Sequence, residues 1–278
     1  MAVDKLFEKR SRLHLLGNTL DADSGGWINR QSSAGAGVDS YYEYLLKAYL
    51  LLGDPHYLHM FERTYHAAME HLPGKGQVDS EAKRHWLYDV SMDTGRMARP
   101  WVSSLQSFWP GMQVLIGHEK EATALYSDLL DVADGLGFIP ELFDVTGKKP
   151  HPRERGYPLR PELIESTYFL YMHTRNGTFL EAGRRLQAAL ADNTRAACGY
   201  ASVGDVVTGR LDDHMESFFL AETAKYLYLL WTAALDVPLP LIPPGEYVFT
   251  TEVCQDDWKR IKDVSRKESS ELAAGDDT

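Results

Sequence analysis

Tyr157-Pro-Leu-Arg-Pro-Glu-Leu-Ile-Glu-Ser-Thr-Tyr-Phe-Leu-Tyr171 is the stretch on which the fold turns. Pro158 and Pro161 bias Tyr157 and Arg160 toward extended angles. Pro161 also suits the first position of a helix, because the N–H it lacks would have had no partner there. A helix is therefore predicted from Pro161 onward. Its opening turn carries Glu162 and Glu165, three residues apart and so on one face, with Arg160 immediately ahead. Acids at a helix start are also what the helix dipole favours, so spacing alone does not separate chemistry from capping. From Leu163 to Tyr171 there is no broad polar face, which predicts a helix buried on most sides.

The same arrangement recurs on either side of this stretch. Val3, Leu6, Phe7, Leu13 and Leu16 fit a first helix ending at Gly17, followed by a Gly/Ser/Asn-rich loop to Gly37. Asp39-Ser-Tyr-Tyr-Glu-Tyr-Leu-Leu-Lys opens a second helix that stops at Gly53-Asp54-Pro55 and turns into a third reaching Leu72. Trp86 to Val90 and the turn Asp93-Thr94-Gly95 predict a short β-hairpin. Ser103–Ile116 and Glu119–Ala133 form a second helical pair. A polar loop from Glu141 to Arg155 leads to the Pro161 helix, which pairs with Phe179–Ala191. Gly199–Arg210 reads as another small hairpin, and Asp212–Trp231 as the last long helix. Asp39-Ser-Tyr-Tyr, Glu165-Ser-Thr-Tyr and Glu216-Ser-Phe-Phe share one order, acid then Ser then aromatics, and Ser104-Leu-Gln-Ser-Phe holds a fourth equivalent place. These recur roughly every 50 to 65 residues, the length of two helices with their loops. Helical pairs stacked around an axis would collect their acidic first turns at one end, so that several carboxylates meet in one cavity.

Composition removes other classes of function. The net charge is −11 over 278 residues, and Lys and Arg form no basic stripe, so a nucleic-acid partner is excluded. The opening residues are amphipathic and charged, which excludes a signal peptide within them, and no apolar run reaches membrane-spanning length. The two cysteines, Cys198 and Cys254, lack the spacing of a metal or redox motif. Asn176-Gly177-Thr178 matches a glycosylation sequon, at a helix turn that calls for Asn-Gly in any case. What remains is an acidic cavity with aromatics and an arginine. That suits sugar hydrolysis, where one carboxyl protonates the leaving oxygen and another activates water, and it equally suits a hard cation.

Four blocks carry a resemblance. Gly35 to Lys47 (Gly-Ala-Gly-Val-Asp-Ser-Tyr-Tyr-Glu-Tyr-Leu-Leu-Lys), Leu159 to Ser166, Met215 to Thr223 and Val248 to Glu252 (Val-Phe-Thr-Thr-Glu) resemble, in order, the signature blocks of the class I α-mannosidases, glycoside hydrolase family 47. Ser104 to Gly111 and Gly156 to Glu162 are similar to the branch of ER degradation-enhancing α-mannosidase-like proteins; processing enzymes of the family usually carry a His where this chain has Ser104.

The resemblance implies an all-α fold, an (αα)7 barrel present here as its C-terminal part of about eight helices with small β-hairpins. It covers residues 1–252; residues 253–278, charged and poor in aromatics, are expected to be a disordered tail. It implies hydrolysis of α1,2-linked mannose from high-mannose N-glycans with inversion, in the disposal of misfolded glycoproteins in the endoplasmic reticulum lumen, with Ca²⁺ as cofactor and a thiol oxidoreductase as a further partner. Asp39, Glu141 and Glu162 match catalytic acids, Glu162 being the carboxylate that activates water. Arg160, Glu165 and Glu216 match substrate-binding positions, the two acids belonging to the sugar and calcium shell. Thr251 matches the residue that gives the metal both its carbonyl and hydroxyl oxygens. The match begins partway along the family domain, after the segment that supplies the proton donor and where a signal peptide would lie, so an N-terminal truncation is expected. The competing expectation is a calcium-dependent mannose-binding protein without turnover. A further departure is Val253-Cys254-Gln255, where the family usually continues Ala-His-Pro.

Overall fold

The computed structural model describes residues 2–73, 85–237, 247–250 and 254–256. Among them are eight α-helices: α1 (Ala2–Glu8), α2 (Asp39–Leu52), α3 (Pro55–His71), α4 (Trp109–Leu115), α5 (Glu119–Leu136), α6 (Glu162–Thr174), α7 (Gly177–Asn193) and α8 (Lys225–Ala234). None is long and apolar enough to cross a membrane. The helices form pairs, α2 with α3, α4 with α5 and α6 with α7, and α6 also touches α4, α5 and α8. The expected architecture, part of a barrel of helical pairs, is the one observed.

Residue pattern decides which helix lies inside. In α6 every residue from Leu163 to Tyr171 is buried, and in α4 every residue from Trp109 to Val114. By contrast, α7 buries Phe179, Ala182, Gly183, Leu186 and Leu190, the single stripe of a helix with one face in water. The boundaries follow local chemistry. Asp54 caps α3 by accepting from the His56 N–H at 2.9 Å, and Gly53 ends α2 in the left-handed region at φ 67°, where a side chain would be strained. Asn176 of the sequon caps α7 in the same way, accepting from the Thr178 N–H at 3.0 Å. Helices α4 and α6 approach closely at Gly111, where a Cβ would stand 3.2 Å from Ser166 Cα. The Gly111 N–H donates to Ser166 Oγ at 2.9 Å there.

Four sequence expectations are corrected. The first helix ends at Glu8, not Gly17, because Ser11 Oγ accepts from the Leu13 and Leu15 N–H groups and His14 adopts φ 60°, both incompatible with continued helix. The Gly/Ser/Asn-rich loop after it contains a hairpin, Thr19–Leu20 with Trp27–Asn29. The polar segment after Glu141 is also partly strand: Leu142–Asp144 pairs with Trp101–Ser103 and with Lys149–Pro150. The last long helix does not begin at Asp212, which lies in a strand, Arg210–Asp212, paired with Ser202–Asp205. Helical hydrogen bonding starts after Glu216 with a wide-turned π segment, Phe219–Ala224, before α8. The hairpin predicted around Asp93-Thr94-Gly95 is present as Asp89–Ser91 with Met97–Arg99, joined by Gln31–Ser32. Tyr247–Phe249 pairs with Cys254–Asp256 and reaches α2, bringing the Phe249 ring within 6.3 Å of those of Tyr168 and Tyr226.

Candidate active site

Two cations, the half-buried Arg160 and the buried Lys47, organise the acids. The first is Arg160, placed just before α6 by the Pro158 and Pro161 turns. Its guanidinium donates to both oxygens of Glu141, Nη2 to Oε1 at 2.8 Å and Nε to Oε2 at 3.2 Å. Its Nη1 stands 3.9 Å from Glu162 Oε1. The fork geometry of arginine makes such a two-point pairing directional as well as strong. Burial works against the Arg160 charge, and the Glu141 hydrogen bonds with the fields of Glu162, Glu141 and Glu216 more than offset it. The Phe218 ring lies 5.5 Å from the guanidinium carbon. Ser104 Oγ donates to Glu141 Oε2 at 2.9 Å, and the Ser104 N–H donates to the Glu141 carbonyl, so Glu141 is fixed at both ends.

Asp39, the first residue of α2, lies within the field of Arg160; burial pushes its carboxyl up, against hydrogen bonds donated by the Ser40 N–H and Oγ. Glu162 is the most isolated acid. Burial holds it well above the ordinary carboxylate range, with the Arg160 charge pulling the other way, and its Oε2 has no hydrogen-bonding partner among the described residues. Glu216 sits outside the helix at the edge of the group, 3.2 Å from His214 Nε2. Asp39, Glu141, Glu162 and Glu216 thus gather about Arg160.

Glu165 belongs to a second group one turn deeper. Lys47 of α2, itself buried, pairs with Glu43 and stands 3.5 Å from Glu165 Oε1, which also accepts from the Tyr226 hydroxyl at 2.6 Å. Burial raises Glu165, while the Lys47 charge lowers it. Glu222 is pushed up to about 7 by burial and then by the charge of Glu165. The two groups join electrostatically, since Glu162 feels both Glu165 and Glu222. Sequence reasoning passed over Glu43, Lys47, Glu222 and Tyr226. The signal for the first two was available: a Glu/Lys pair four residues apart whose lysine falls among Leu45, Leu46 and Leu50, where a cation needs a buried partner.

Thr251 lies outside the described residues, as do Glu252 and Val253. Among the described residues no group of three or more His, Cys, Asp and Glu is disposed as a metal site. The donor chemistry nearby nevertheless suits a hard cation, because Glu165 and Glu222 offer only oxygen and carry mutually repelling charge. Cys198 is a free, exposed thiol beside the short strand Gly199–Tyr200.

Comparison with known proteins agrees with this geometry. Residues 1–253 match glycosyl hydrolase family 47. The chain is 42% identical over 252 residues to Alpha-mannosidase I MNS4 of Arabidopsis thaliana, covering 90% of this chain and 39% of that protein. It is 42% identical over 253 residues to ER degradation-enhancing alpha-mannosidase-like protein 3 of Homo sapiens, covering 90% of this chain and 26% of that one. The fold superposes on an alpha-1,2-mannosidase from Trichoderma reesei with a TM-score of 0.67 and 26% identity, over 84% of this chain and 54% of that one. The chain therefore spans well under half the length of these two relatives and about half of the solved structure. Barrel of paired helices, gathered acids and sequence match agree: the chain belongs to glycosyl hydrolase family 47.

Proposed function

We propose that the protein is a mannosidase-type glycoside hydrolase that removes α1,2-linked mannose from high-mannose N-glycans with inversion. The observation that carries this reading is Glu162: a largely buried side chain, 14% exposed, with a raised proton affinity and one fully buried oxygen that has no partner among the described residues, held beside the Arg160–Glu141 pair. A general base must sit where its charged form is poorly solvated yet oriented, because an acid near its usual pKa takes a proton too weakly. Arg160 and Phe218 are placed to orient a sugar, the guanidinium by hydrogen bonds and the ring by its apolar face. Asp39 and Glu141 are the remaining catalytic acids in this reading, and Glu165 and Glu216 bind the sugar's surroundings.

Calcium is the cation the reading calls for. Thr251 would supply its direct oxygens, with Glu165 in the shell around it, and the metal would hold hydroxyls of the bound mannose. The name of the human relative, an ER degradation-enhancing alpha-mannosidase-like protein, supports a role tied to degradation at the endoplasmic reticulum; action on misfolded glycoproteins in its lumen, with a thiol oxidoreductase as a further partner, is part of the same proposal. In this reading residues 1–252 are the catalytic part and 253–278 a charged tail, of which Cys254–Asp256 pairs with Tyr247–Phe249.

The test is mannose release from a high-mannose oligosaccharide by the natural gene product. Glu162→Gln lowers the rate by about two to four orders of magnitude, the scale of a lost acid–base group. Turnover within a few-fold of the parent removes Glu162 from the role.

A further inference from the structure

Glu165 is held by one of its two oxygens. The Tyr226 hydroxyl donates to Oε1 at 2.6 Å, and Lys47 Nζ stands 3.5 Å from the same atom, so α8 and α2 meet there on α6. No described residue donates to Oε2. A hydroxyl donating to a carboxylate at this distance makes one of the stronger hydrogen bonds. Its donor is fixed in place: Tyr226 is 1% exposed, and its ring packs against those of Tyr168 and Phe169 on α6, with centroids 5.9 and 6.0 Å away. The approach of α8 is fixed as well. The fully buried Thr223 donates through Oγ1 to the Leu159 carbonyl at 2.7 Å, in the turn that delivers Arg160. Thr223 belongs to the π segment Phe219–Ala224, which ends directly before α8; such i→i+5 turns are rare in helices and recur at functional sites.

We propose that Tyr226 is a positioning residue for Glu165: its hydroxyl holds Oε1 and so makes Oε2 the oxygen presented to the bound sugar. The terminal torsion of a glutamate is broad, so an unrestrained carboxylate offers two equivalent oxygens in many orientations. A rigid donor on one of them removes that freedom before a ligand arrives, and the ligand meets an acceptor already in place. Lys47 supplies charge more than direction, because an ammonium is a point charge on a flexible stem and stands farther from Oε1 than the tyrosine does. The division of labour within Tyr226 follows: its ring fills the space between α8 and α6, and its hydroxyl orients Glu165. Nothing in the catalytic assignment required Tyr226, which reads from the sequence as one of several aromatics in the apolar run Tyr226-Leu-Tyr-Leu-Leu-Trp231.

The consequence for turnover rests on the hydrolase reading, so the test has one arm that does not. In crystal structures of the natural gene product, Tyr226→Phe displaces the Glu165 carboxylate from its parent position by about 0.5 Å or more, the tolerance of a productive site, while the ring at 226 stays in place. In mannose release from a high-mannose oligosaccharide, the same variant raises KM about five- to twenty-fold and changes kcat less than about two-fold, the split expected when binding common to ground and transition states is lost. Incorporation of 4-aminophenylalanine at position 226, which keeps both ring and donor, brings KM back to within about two-fold of the parent. If Tyr226→Phe does not fold, 4-methylphenylalanine, which fills the space of the hydroxyl without donating, takes its place in both arms. An unmoved carboxylate overturns the proposal. So do an unchanged KM in a protein that turns over and a raised KM that 4-aminophenylalanine does not restore. A displaced carboxylate in a protein whose parent releases no mannose leaves the Tyr226 link standing and overturns the hydrolase reading.

Discussion

The starts of α6 and of the last helix share a sequence pattern and differ in outcome. Glu165-Ser-Thr-Tyr lies inside its helix, buried, with Glu165 bound by Lys47 and Tyr226. Glu216-Ser-Phe-Phe lies ahead of its helix at the edge of the site. The π-helical segment that follows exposes Leu220 at 65%, and α8 beyond it exposes Tyr228 at 59%. Helix α6 has α4, α5, α7 and α8 around it, whereas among the described residues α8 packs against α6 and α7, with the Phe249 ring beside Tyr226. An acid-Ser-aromatic start therefore marks the site end of a helix, and the neighbours decide whether the acid becomes a buried group, as Glu165 does, or a half-buried one at the rim, as Glu216 does.

Four changes would break or sharpen that contrast. The largest effect on stability is expected at Lys47. Lys47→Met leaves Glu165 and Glu43 buried without their cation and costs about 3–5 kcal/mol in chemical unfolding; a loss below about 1 kcal/mol would mean that the two acids simply take up protons. Next comes Leu170→Ala in the most enclosed part of α6, where the side chain is 0% exposed. It opens a cavity and costs about 2–5 kcal/mol by the same measurement.

Glu222 tests the electrostatic side of the contrast. Its proton affinity in the fold is raised from 4.5 to about 7, so the folded state binds the proton more tightly than the unfolded chain. The stability it contributes is complete below pH 4.5 and is lost as pH rises toward 7. Glu222→Gln is expected to remove that loss, raising Tm over the parent at pH 7 and not at pH 4.5; equal shifts at both pH values would show that its environment is not what raises it. The smallest effect belongs to the exposed face: Leu220→Ala changes stability by no more than about 0.5 kcal/mol, and a larger loss would reveal something packed over that side of α8 in the natural gene product.

Much of the site was legible because its markers are local. Pro158 and Pro161 announce the α6 start, Arg160 and Glu162 flank it, and the recurring acid-Ser-aromatic order locates Asp39 and Glu165 before any contact is known. The buried pairing of Lys47 was not legible, since its partner Glu165 is 118 residues away. The strand pairing of Leu142–Asp144 with Trp101–Ser103 was hidden for a similar reason: strands of three residues take their stability from a distant partner and are too short to show a periodicity of their own.

By itself, then, the sequence determined where α2, α3, α5 and α6 begin, that α6 has no broad polar face and is inner, and that Asp39, Glu162 and Glu165 stand at the site ends of α2 and α6. These follow from backbone restriction at proline, from capping and from hydrophobic periodicity, all of which act over a few residues. Only the tertiary structure decided that Arg160 is hydrogen-bonded to Glu141 and stands 3.9 Å from Glu162, that Glu165 belongs to Lys47, and that Glu162 is left with a buried oxygen lacking a partner among the described residues. The physical reason is that a charge's partner and its degree of desolvation depend on how the helices pack side by side. No span of chain short enough to be read locally contains that information.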